Sequence, residues 1–280
     1  MRDRRPLLPA IALALLAAVG PAQRAGASTP PIVVIVMENH EYSQIIGNSS
    51  ATYINDTLIP RGTLFTNYDA VSHPSLPNYL AMTSGGTDGK DGTDSITAGE
   101  LGPTNVFREL FNLRIPWKSY EESMPELCYN GVSYKDYVLK HDPAMAYNDV
   151  ANREICNNVV RGDNQLSTDL SNKALPPFSF ITPNVCNDMH DCSVATGDAY
   201  LQSNVPKLLA AGAVVIVTFD EGTTNTGGGG HVMTVEIGPG ISAGVMNTKA
   251  YNHYSLCAGI EDMFGLPRLQ NATNATPLPM

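Results

Sequence analysis

The stretch IVVIVMEN, residues 32–39, decides the fold, because six apolar residues run directly into Glu38 and Asn39. A continuous Val/Ile run favours a strand buried on both faces of a parallel sheet, since a strand with one face in water alternates apolar and polar residues. The largely apolar runs at 178–181 and 213–219 have the same character and also end in polar residues. The sequence therefore predicts buried strands with polar clusters at their carboxyl ends.

Segments between these strands predict helices. They cover residues 53–61, 77–83, 198–211 and 255–264, several with a helix-breaking glycine shortly after. Alternation of strand and helix is typical of an α/β fold with a mostly parallel sheet. Residues 85–105 and 121–176 show no clean period, and we expect long surface excursions there that serve as candidate lids.

The first 27 residues predict a secretory signal peptide. Three arginines within residues 1–5 precede an apolar stretch over 7–19, and Ala25-Gly26-Ala27 is a small-x-small cleavage site. The apolar stretch is shorter than the roughly 20 residues of a membrane span, so no span is predicted. No linker divides the remainder, and we expect residues 28–280 to form a single domain that is secreted, extracellular or periplasmic.

The charge balance excludes one class of partner. The formal net charge is −10, and removal of residues 1–27, which carry four arginines and one aspartate, makes it −13. A strong basic patch for nucleic acid is therefore not expected. An acidic protein that handles phosphate needs local positive charge, which a bound cation supplies compactly.

The five cysteines lie in the part of the chain predicted to be secreted, where disulfides form. An odd number leaves one thiol unpaired. Our preferred pairs are Cys186 with Cys192 and Cys128 with Cys156, with Cys257 as a buried thiol. Spacing alone leaves this connectivity open.

Two polar pairs, Glu38-Asn39 and Asp220-Glu221, each follow a buried strand. One such pair alone serves equally well to cap the next turn. Two pairs are hard to explain by stability, because close carboxylates repel each other unless a cation or proton lies between them. Since ligands of open α/β sheets bind beyond the carboxyl ends of the strands, we expect the pairs to converge on a hard divalent cation.

The stretch HPSLPNY, residues 73–79, places Ser75 at the start of a predicted helix. A serine there is usually an ordinary N-cap. The free N–H groups of a helix N-terminus also favour a transferring phosphate, and a nearby metal lowers the pKa of a hydroxyl. With His73 close by and Asn78 able to donate to a phosphoryl oxygen, we interpret Ser75 as a nucleophile.

Histidines gather in polar clusters at the ends of strands and helices, where a histidine is suited to donate a proton to a leaving oxygen. The candidates are His73, His190 in NVCNDMHDC at 184–192, His231 and His253. His40 is interpreted as structural or peripheral.

Two further features have less specific interpretations. Lys140 and His141 predict either a phosphate contact or a solvated loop, with equal weight. The glycines at 227–230 lack the following Lys-Ser/Thr of a P-loop and favour a flexible hairpin beside the metal site.

Together these clusters resemble a known family. VMEN at 36–39, HPSLPNY at 73–79, NDMHD at 187–191, TFDEG at 218–222 with GGHV at 229–232, and NHYSL at 252–256 resemble, in the same order, motifs of the phosphoesterase family of secreted bacterial acid phosphatases and phospholipases C. The core of that family is similar to that of the alkaline phosphatase superfamily, a three-layer α/β sandwich with a mostly parallel central sheet. The chain most resembles the short acid phosphatase branch, some of whose members are described as phosphatidylinositol phosphatases.

The resemblance implies a role for each cluster. It implies that a metal is held by Glu38, Asn39, Asp220, Glu221 and Ser75. It also implies that His73, His190 and His253 surround the phosphate. The nucleophile of the family is a Ser or Thr that is followed by any one residue and then by Pro-Asn, which matches Ser75.

We therefore predict a secreted, metal-dependent acid phosphatase that hydrolyses phosphate monoesters through a phosphoserine intermediate, with phosphoinositide head groups among its candidate substrates. A single divalent cation is expected, because the acids and histidines are few for two ligand sets plus acid catalysis. Oxygen ligands favour Ca, Mg or Mn, whereas a histidine ligand favours Zn or Fe.

Two alternatives stay open. A phosphodiesterase of phospholipase C type would share every cluster. A non-catalytic secreted metal-binding protein would use the acidic pairs structurally, but it gives no reason for Ser75 to precede Pro77-Asn78. A Ser-His-Asp esterase is disfavoured because no Gly-x-Ser-x-Gly frames a serine.

Overall fold

Eight strands form the central sheet of the computed structural model, which describes Met1, residues 29–152 and residues 154–280. Beyond Met1, the predicted signal peptide lies outside the described residues. The strands are β1 Ile32–Met37, β2 Thr63–Phe65, β3 Tyr68–Asp69, β4 Trp117–Glu121, β5 Ser133–Tyr134, β6 Tyr137–Val138, β7 Val159–Arg161, β8 Phe178–Thr182, β9 Val214–Phe219, β10 Thr234–Ile237, β11 Val245–Asn247 and β12 Tyr251–Asn252. The sheet order is β11-β2-β10-β9-β1-β8-β4-β7, while β12 with β3 and β5 with β6 form two-stranded sheets.

Helices connect these strands. The α-helices are α1 Tyr42–Ile45, α2 Ile59–Arg61, α3 Ser75–Ser84, α4 Val106–Asn112, α5 Pro143–Ala146, α6 Asn148–Ala151, α7 Gly162–Ser171, α8 Val194–Ala210 and α9 His253–Phe264. A π-helix spans Ile54–Leu58, and short 3-10 helices span Leu139–His141, Glu154–Asn158, Thr226–Gly228 and Gln270–Thr273. Within the described part of the chain, no helix combines the length and apolar character that a membrane span requires.

The central strands are covered on both faces. All six residues of β1 and all six of β9 are buried, which an apolar run allows only when another layer packs on each side of the sheet. Every strand pair of this sheet is parallel except those that β10 makes with β9 and β2. The prediction of an α/β fold with a mostly parallel central sheet is confirmed.

The register of β1 against β9 positions the two polar pairs. The strands pair in parallel from Ile32 with Val214 to Met37 with Phe219. Glu38 and Asp220, the residues that follow these two strands, therefore leave the sheet side by side. The backbone amide of Asp220 donates to the Met37 carbonyl at 2.9 Å. Convergence of the two pairs follows from this register.

Two local predictions differ from the structure. The segment predicted as a helix over 53–61 is helical, but Ile54–Leu58 is a π-helix that leads into the short helix α2. Pro60 lacks the amide that would continue a regular α-helix there. Residues 121–176 are not a plain excursion, since they contain β7, which pairs in parallel with β4, and the ten-residue helix α7. Both elements are short or polar, so their periodicity is weak.

A buried carboxyl on β10 gives the first testable prediction. Glu236 is 2% exposed, and burial raises its pKa from 4.5 to about 8. Because the folded state then binds the proton more tightly than the unfolded state, the stability that it contributes is complete below about pH 4.5 and falls as pH rises towards about 8. Glu236→Gln, which mimics the protonated form, should raise the free energy of unfolding at pH 8 by about 1 kcal/mol or more and leave it unchanged at pH 4. Urea unfolding at both pH values measures this, and an equal effect at the two would contradict it.

Candidate active site

Ser75 lies at the carboxyl edge of the sheet and faces carboxylates. It is 1% exposed, and its hydroxyl lies 3.1 Å from Glu38 Oε2 and 3.4 Å from Glu221 Oε1. It is the first residue of α3, whose N-cap position is occupied by Pro74. The ordinary N-cap interpretation therefore does not hold, since the hydroxyl is directed at the acidic cluster instead of the helix amides.

The carboxylates around Ser75 are crowded and buried. Burial, followed by the charges of Asp220 and Asp188, raises the pKa of Glu38 well above its ordinary value. Burial and the neighbouring Glu221 raise the pKa of Asp220 to about 6. Such shifts arise where several negative charges share a small volume without enough compensation. The cluster therefore favours a proton or a cation between its members.

Asn39 joins this cluster. Its backbone N–H donates to Asp220 Oδ1 at 3.0 Å. Its φ is 51°, a left-handed conformation that asparagine adopts more readily than most residues. Asn39 Oδ1 and Asp220 Oδ2 are both buried and lack a hydrogen-bond partner among the described residues. Buried acceptors of this kind are costly unless something binds them. These oxygens, with those of Glu38 and Glu221, fit a hard divalent cation.

His73 borders the cluster and is held by two acceptors. Its Nδ1 hydrogen-bonds Glu221 Oε2, and its Nε2 lies 2.8 Å from the Thr224 carbonyl oxygen. Burial opposes protonation of His73, but the bonds to Glu221 and Thr224 outweigh it and raise the pKa. Both contacts favour the protonated ring, because a carbonyl and an ionised carboxylate accept hydrogen bonds from its two N–H groups.

The structure changes the role expected of Asn78. Its Nδ2 donates to the carbonyls of Ser72 and Pro74, at 2.8 and 3.1 Å. Its Oδ1 accepts from the amides of Val71 and Ser72. Both amide hydrogens are therefore used on the backbone, and Asn78 fixes the turn before Ser75 instead of donating to a phosphoryl oxygen.

His253 is likewise a support residue, although we expected it to contact phosphate. Its Nε2 lies 2.5 Å from the Asp220 carbonyl oxygen, which can only accept, so Nδ1 accepts from the Tyr68 hydroxyl at 3.1 Å. Burial lowers the pKa of His253 to about 4. A neutral, fully buried ring with both nitrogens occupied positions the Asp220 backbone and has no proton to give to a leaving group.

Both preferred cysteine pairs are present. Cys128 bonds Cys156 with 5.2 Å between their Cα atoms, and Cys186 bonds Cys192 with 4.6 Å. The remaining thiol, Cys257, is buried.

The shorter disulfide encloses Asp188 and His190. The Asp188 carbonyl accepts from the Glu38 amide at 2.9 Å, and its Oδ1 accepts from the His190 amide at 2.7 Å. His190 Nδ1 lies 2.7 Å from Asp191 Oδ1, and the His190 side chain is 27% exposed. The loop therefore brings a solvent-accessible imidazole to the acidic cluster.

His141 belongs to the site, whereas the sequence left it open between a phosphate contact and a solvated loop. It is 2% exposed, and its Nε2 lies 3.3 Å from Glu38 Oε1 while its Nδ1 lies 3.6 Å from Asp188 Oδ2. Burial lowers its pKa well below the ordinary value. A ligating atom from each of Glu38, His141 and His190 lies within 4.8 Å of the others. Nitrogen ligands are thus within reach of the oxygen cluster.

Tyr79 is a site residue to which the sequence motifs gave no role. Its hydroxyl donates to Glu38 Oε1, and its ring stacks on His141 with 5.3 Å between centroids. Ser75 and Tyr79 are four residues apart and so share one face of α3. That spacing was the available signal, since both side chains reach the same carboxylate.

The glycines at 227–230 do not form the flexible hairpin that we expected. A Cβ on Gly229 would lie 2.3 Å from the Ser72 carbonyl oxygen, and one on Gly228 would lie 2.4 Å from that of Val71. The loop is packed against the turn that precedes Ser75, and glycine allows this close approach. His231 lies outside the acidic cluster, stacked on Tyr42 with Nε2 at 3.1 Å from the Thr66 carbonyl.

The two disulfides should separate stability from activity. Loop-closure entropy predicts a loss of about 2 kcal/mol on removing Cys186–Cys192 and about 3.5 kcal/mol on removing Cys128–Cys156, because the sequence separations are 6 and 28. Turnover should fall more in the first variant, since that bridge encloses Asp188 and His190. Double serine variants, compared by thermal unfolding and turnover, test this. The same rank order in both measurements would contradict a positioning role for the short loop.

Comparison with known proteins identifies a family for this chain. The model of the phosphoesterase family matches residues 49–267. A phosphate-repressible acid phosphatase of Penicillium chrysogenum is 33% identical over 228 residues, which cover 76% of this chain and 54% of that protein. A phosphatidylinositol-3-phosphatase of Mycobacterium tuberculosis is 31% identical over 252 residues, covering 88% of this chain and 81% of that protein. The chain thus spans about half the length of the fungal relative.

Solved structures show the same fold at low identity. A protein of the alkaline phosphatase superfamily from Vibrio parahaemolyticus superposes with a TM-score of 0.57 at 13% identity, covering 88% of this chain and 70% of that one. A lipoteichoic acid synthase from Listeria monocytogenes gives a TM-score of 0.58 at 10% identity, with 89% and 76% covered. The fold resemblance drawn from the sequence motifs is confirmed. The family match covers well over half of the sequence, and the chain therefore belongs to the phosphoesterase family.

Proposed function

We propose that this protein is a secreted acid phosphatase that hydrolyses phosphate monoesters in two steps, with Ser75 as the nucleophile and one divalent cation at the site. The observation that carries the proposal is the direction of the Ser75 hydroxyl, which faces Glu38 and Glu221 at 3.1 and 3.4 Å instead of capping its helix. A serine that only stabilised the helix would direct its hydroxyl at the free amides of the first turn. Its orientation suits proton removal from an attacking oxygen.

The relatives support phosphate ester hydrolysis. The relative from Penicillium chrysogenum is named an acid phosphatase, and the one from Mycobacterium tuberculosis a phosphatidylinositol-3-phosphatase. A phosphodiesterase of phospholipase C type would use the same cluster, and the relatives favour the monoesterase.

In the first step, the Ser75 oxygen attacks phosphorus in line with the ester oxygen. The Ser75 proton passes to Glu38 or Glu221, the O–P bond to serine forms, and the bond to the alcohol breaks. Both carboxyls lie within hydrogen-bond reach of the Ser75 hydroxyl, so either can accept its proton without rearrangement.

A cation at this site would be held by the oxygens of Glu38, Asn39, Asp220 and Glu221 together with the Ser75 hydroxyl. When bound, such a cation supplies charge neutralisation for the phosphoryl group and lowers the pKa of the serine hydroxyl. Oxygen ligands favour Ca, Mg or Mn, and recruitment of His141 or His190 would move the preference to Zn or Fe.

Departure of the alcohol requires a proton, and His190 is the histidine best suited to supply it. His73 uses both ring nitrogens on Glu221 and Thr224, and His253 is neutral and buried. His190 is partly exposed, and its Nδ1 contact with Asp191 orients the ring. In the second step, water attacks the phosphorus of phosphoserine and gives a proton to His190, which is neutral after protonating the alcohol. The bond between phosphorus and the Ser75 oxygen breaks, the carboxyl that took the serine proton returns it, and inorganic phosphate leaves.

We extend the proposal to substrate and location. Phosphoinositide head groups are candidate substrates because the Mycobacterium tuberculosis relative, named a phosphatidylinositol-3-phosphatase, is covered over 81% of its length. Removal of residues 1–27 would release residues 28–280 as one secreted domain, and two disulfides support an oxidising location.

Hydrolysis of a chromogenic phosphomonoester before and after chelation tests the function. We expect turnover by the purified secreted protein, its loss with chelator, and its return on adding back one of Ca, Mg, Mn, Zn or Fe. A chromogenic phosphodiester and phosphatidylcholine serve as comparison substrates and should be turned over more slowly. Faster hydrolysis of the diesters would favour the phospholipase C type, and bound metal without turnover of any ester would favour a metal-binding protein.

A further inference from the structure

An ion pair lies at the N-terminus of the helix that carries Ser75. Lys140 Nζ lies 2.9 Å from Asp94 Oδ2, and Asp94 Oδ1 accepts from the Leu76 amide at 3.0 Å. One carboxylate therefore links the Lys140 ammonium to the residue that follows Ser75. Asp94 and Lys140 come from the two long segments, 85–105 and 121–176, that showed no clean period in the sequence.

The pair is accessible at the edge of the site. The Lys140 side chain is 23% exposed and that of Asp94 is 28% exposed. Lys140 directly precedes His141, whose Nε2 lies 3.3 Å from Glu38 Oε1. Both members of the pair are therefore open to a ligand from solvent, at the start of the helix that carries Ser75.

The charge balance around Ser75 calls for a cation at this position. Three carboxylates surround the serine, and His73 already uses both ring nitrogens. The Lys140 ammonium is a positive charge with three donors. Among the described residues, Asp94 is the acceptor of its side-chain hydrogen bond, so donors are left for a ligand.

We propose that Lys140 binds a non-bridging phosphoryl oxygen of the substrate and that Asp94 positions it beside the N-terminus of α3. This inference rests on the proposed phosphatase function and adds a binding residue to it. A monoester dianion carries one more negative charge than a diester, so the Lys140 charge stabilises the monoester more. Lys140 thereby contributes to the preference for monoesters.

The competing explanation is a plain tether between two loops. A partly exposed ion pair contributes about 0–1 kcal/mol to stability, and its loss would lower the thermal midpoint without changing affinity for phosphate. The chain offers a matched control in Lys118, which pairs with Asp169 at 2.5 Å between β4 and α7 and is 25% exposed. Lys118→Met removes a similar ion pair that we have placed outside the binding machinery.

The test compares Lys140→Met, Lys140→Arg, Asp94→Asn and Lys118→Met with wild type. Calorimetry gives the dissociation constant for inorganic phosphate in the presence of the activating metal, and steady-state assays give KM and kcat for a phosphomonoester and a phosphodiester. We expect Lys140→Met to weaken phosphate binding and raise KM for the monoester by about tenfold or more, the value of one charge-assisted hydrogen bond. The KM for the diester should change less. Lys140→Arg should recover part of the lost phosphate affinity, and the phosphate affinity of Asp94→Asn should lie between those of wild type and Lys140→Met.

Lys118→Met should keep wild-type phosphate affinity. The proposal is overturned if Lys140→Met binds phosphate within about twofold of wild type, or if Lys118→Met weakens phosphate binding as much. If wild type binds phosphate through Lys140 but hydrolyses no ester, the proposed function is refuted and the assignment of Lys140 as a phosphate-binding residue stands. If wild type turns over the monoester and Lys140→Met has the same phosphate affinity and KM, the assignment of Lys140 is refuted and the proposed function stands.

Discussion

Replacing Ser75 with alanine should remove nearly all turnover, by a factor of about 10³ or more, while metal and phosphate still bind. The serine oxygen is the atom that forms the new bond to phosphorus, so its loss leaves only activation of water by the remaining cluster. Glu38, Asn39, Asp220 and Glu221 are unchanged in the variant. Steady-state assay together with elemental analysis of the same preparation measures both effects.

A serine at the other end of the same helix provides the control. Ser84 is buried and donates to the Leu80 carbonyl at 3.0 Å, so Ser84→Ala also deletes a buried hydroxyl from α3. It should keep turnover within a few-fold of wild type. If Ser75→Ala stays within about tenfold of wild type, equivalent to only about 1.4 kcal/mol of barrier, covalent catalysis at Ser75 is untenable. Water would then be the preferred nucleophile.

Glu38→Gln and Asp220→Asn should each lose the bound cation and at least about a hundredfold in turnover, while the fold survives. The strands that precede them, β1 and β9, are held by apolar burial and by their ladder, not by these side chains. An amide oxygen can still accept from Tyr79 in the first variant and from the Asn39 amide in the second. Each change therefore removes charge from the site with little change of shape.

Glu236→Gln is the matched control, because it makes the same substitution at a buried carboxyl of the same sheet. Glu236 lies opposite Ile216 in the middle of β9, away from the carboxyl edge. Its variant should bind as much metal as wild type. Elemental analysis of purified proteins and thermal unfolding give the comparison. Unchanged metal content in both site variants would overturn the ligand assignment.

The convergence of the acidic pairs was predictable because it depends on two long-range regularities. Buried parallel strands give continuous apolar runs, and parallel strands end at one edge of the sheet. Glu38 and Asp220 follow β1 and β9 directly, so identifying those strands was enough to place them. Both preferred cysteine pairs are also present, although spacing alone had left their connectivity open.

The roles of individual polar side chains were harder to predict. Asn78 and His253 belong to recognisable motifs, yet both satisfy backbone groups, at Ser72 and Asp220 respectively. A motif specifies which residue is present, but buried polar groups bind whichever partner the tertiary structure brings near. The sequence does not show which partner is chosen, whether it is a near neighbour, as for Asn78, or lies on another strand, as for His253.

His141 and Asp94 lie outside recognisable motifs but contact residues of the site. They come from segments that lack periodicity. His141 contacts Glu38 from a distant part of the sequence, and Asp94 contacts Leu76 from 18 residues away across an irregular segment. The backbone path of such segments is determined by tertiary packing, which local sequence patterns do not predict.

The account depends most directly on a covalent intermediate at Ser75. Wild-type protein quenched at acid pH during turnover of a phosphomonoester, digested and analysed by mass spectrometry, should yield a peptide phosphorylated at Ser75, and Ser75→Ala treated identically should yield none. Rapid steady turnover with no phosphorylated peptide at any quench time, or phosphate found on a different residue, would contradict it.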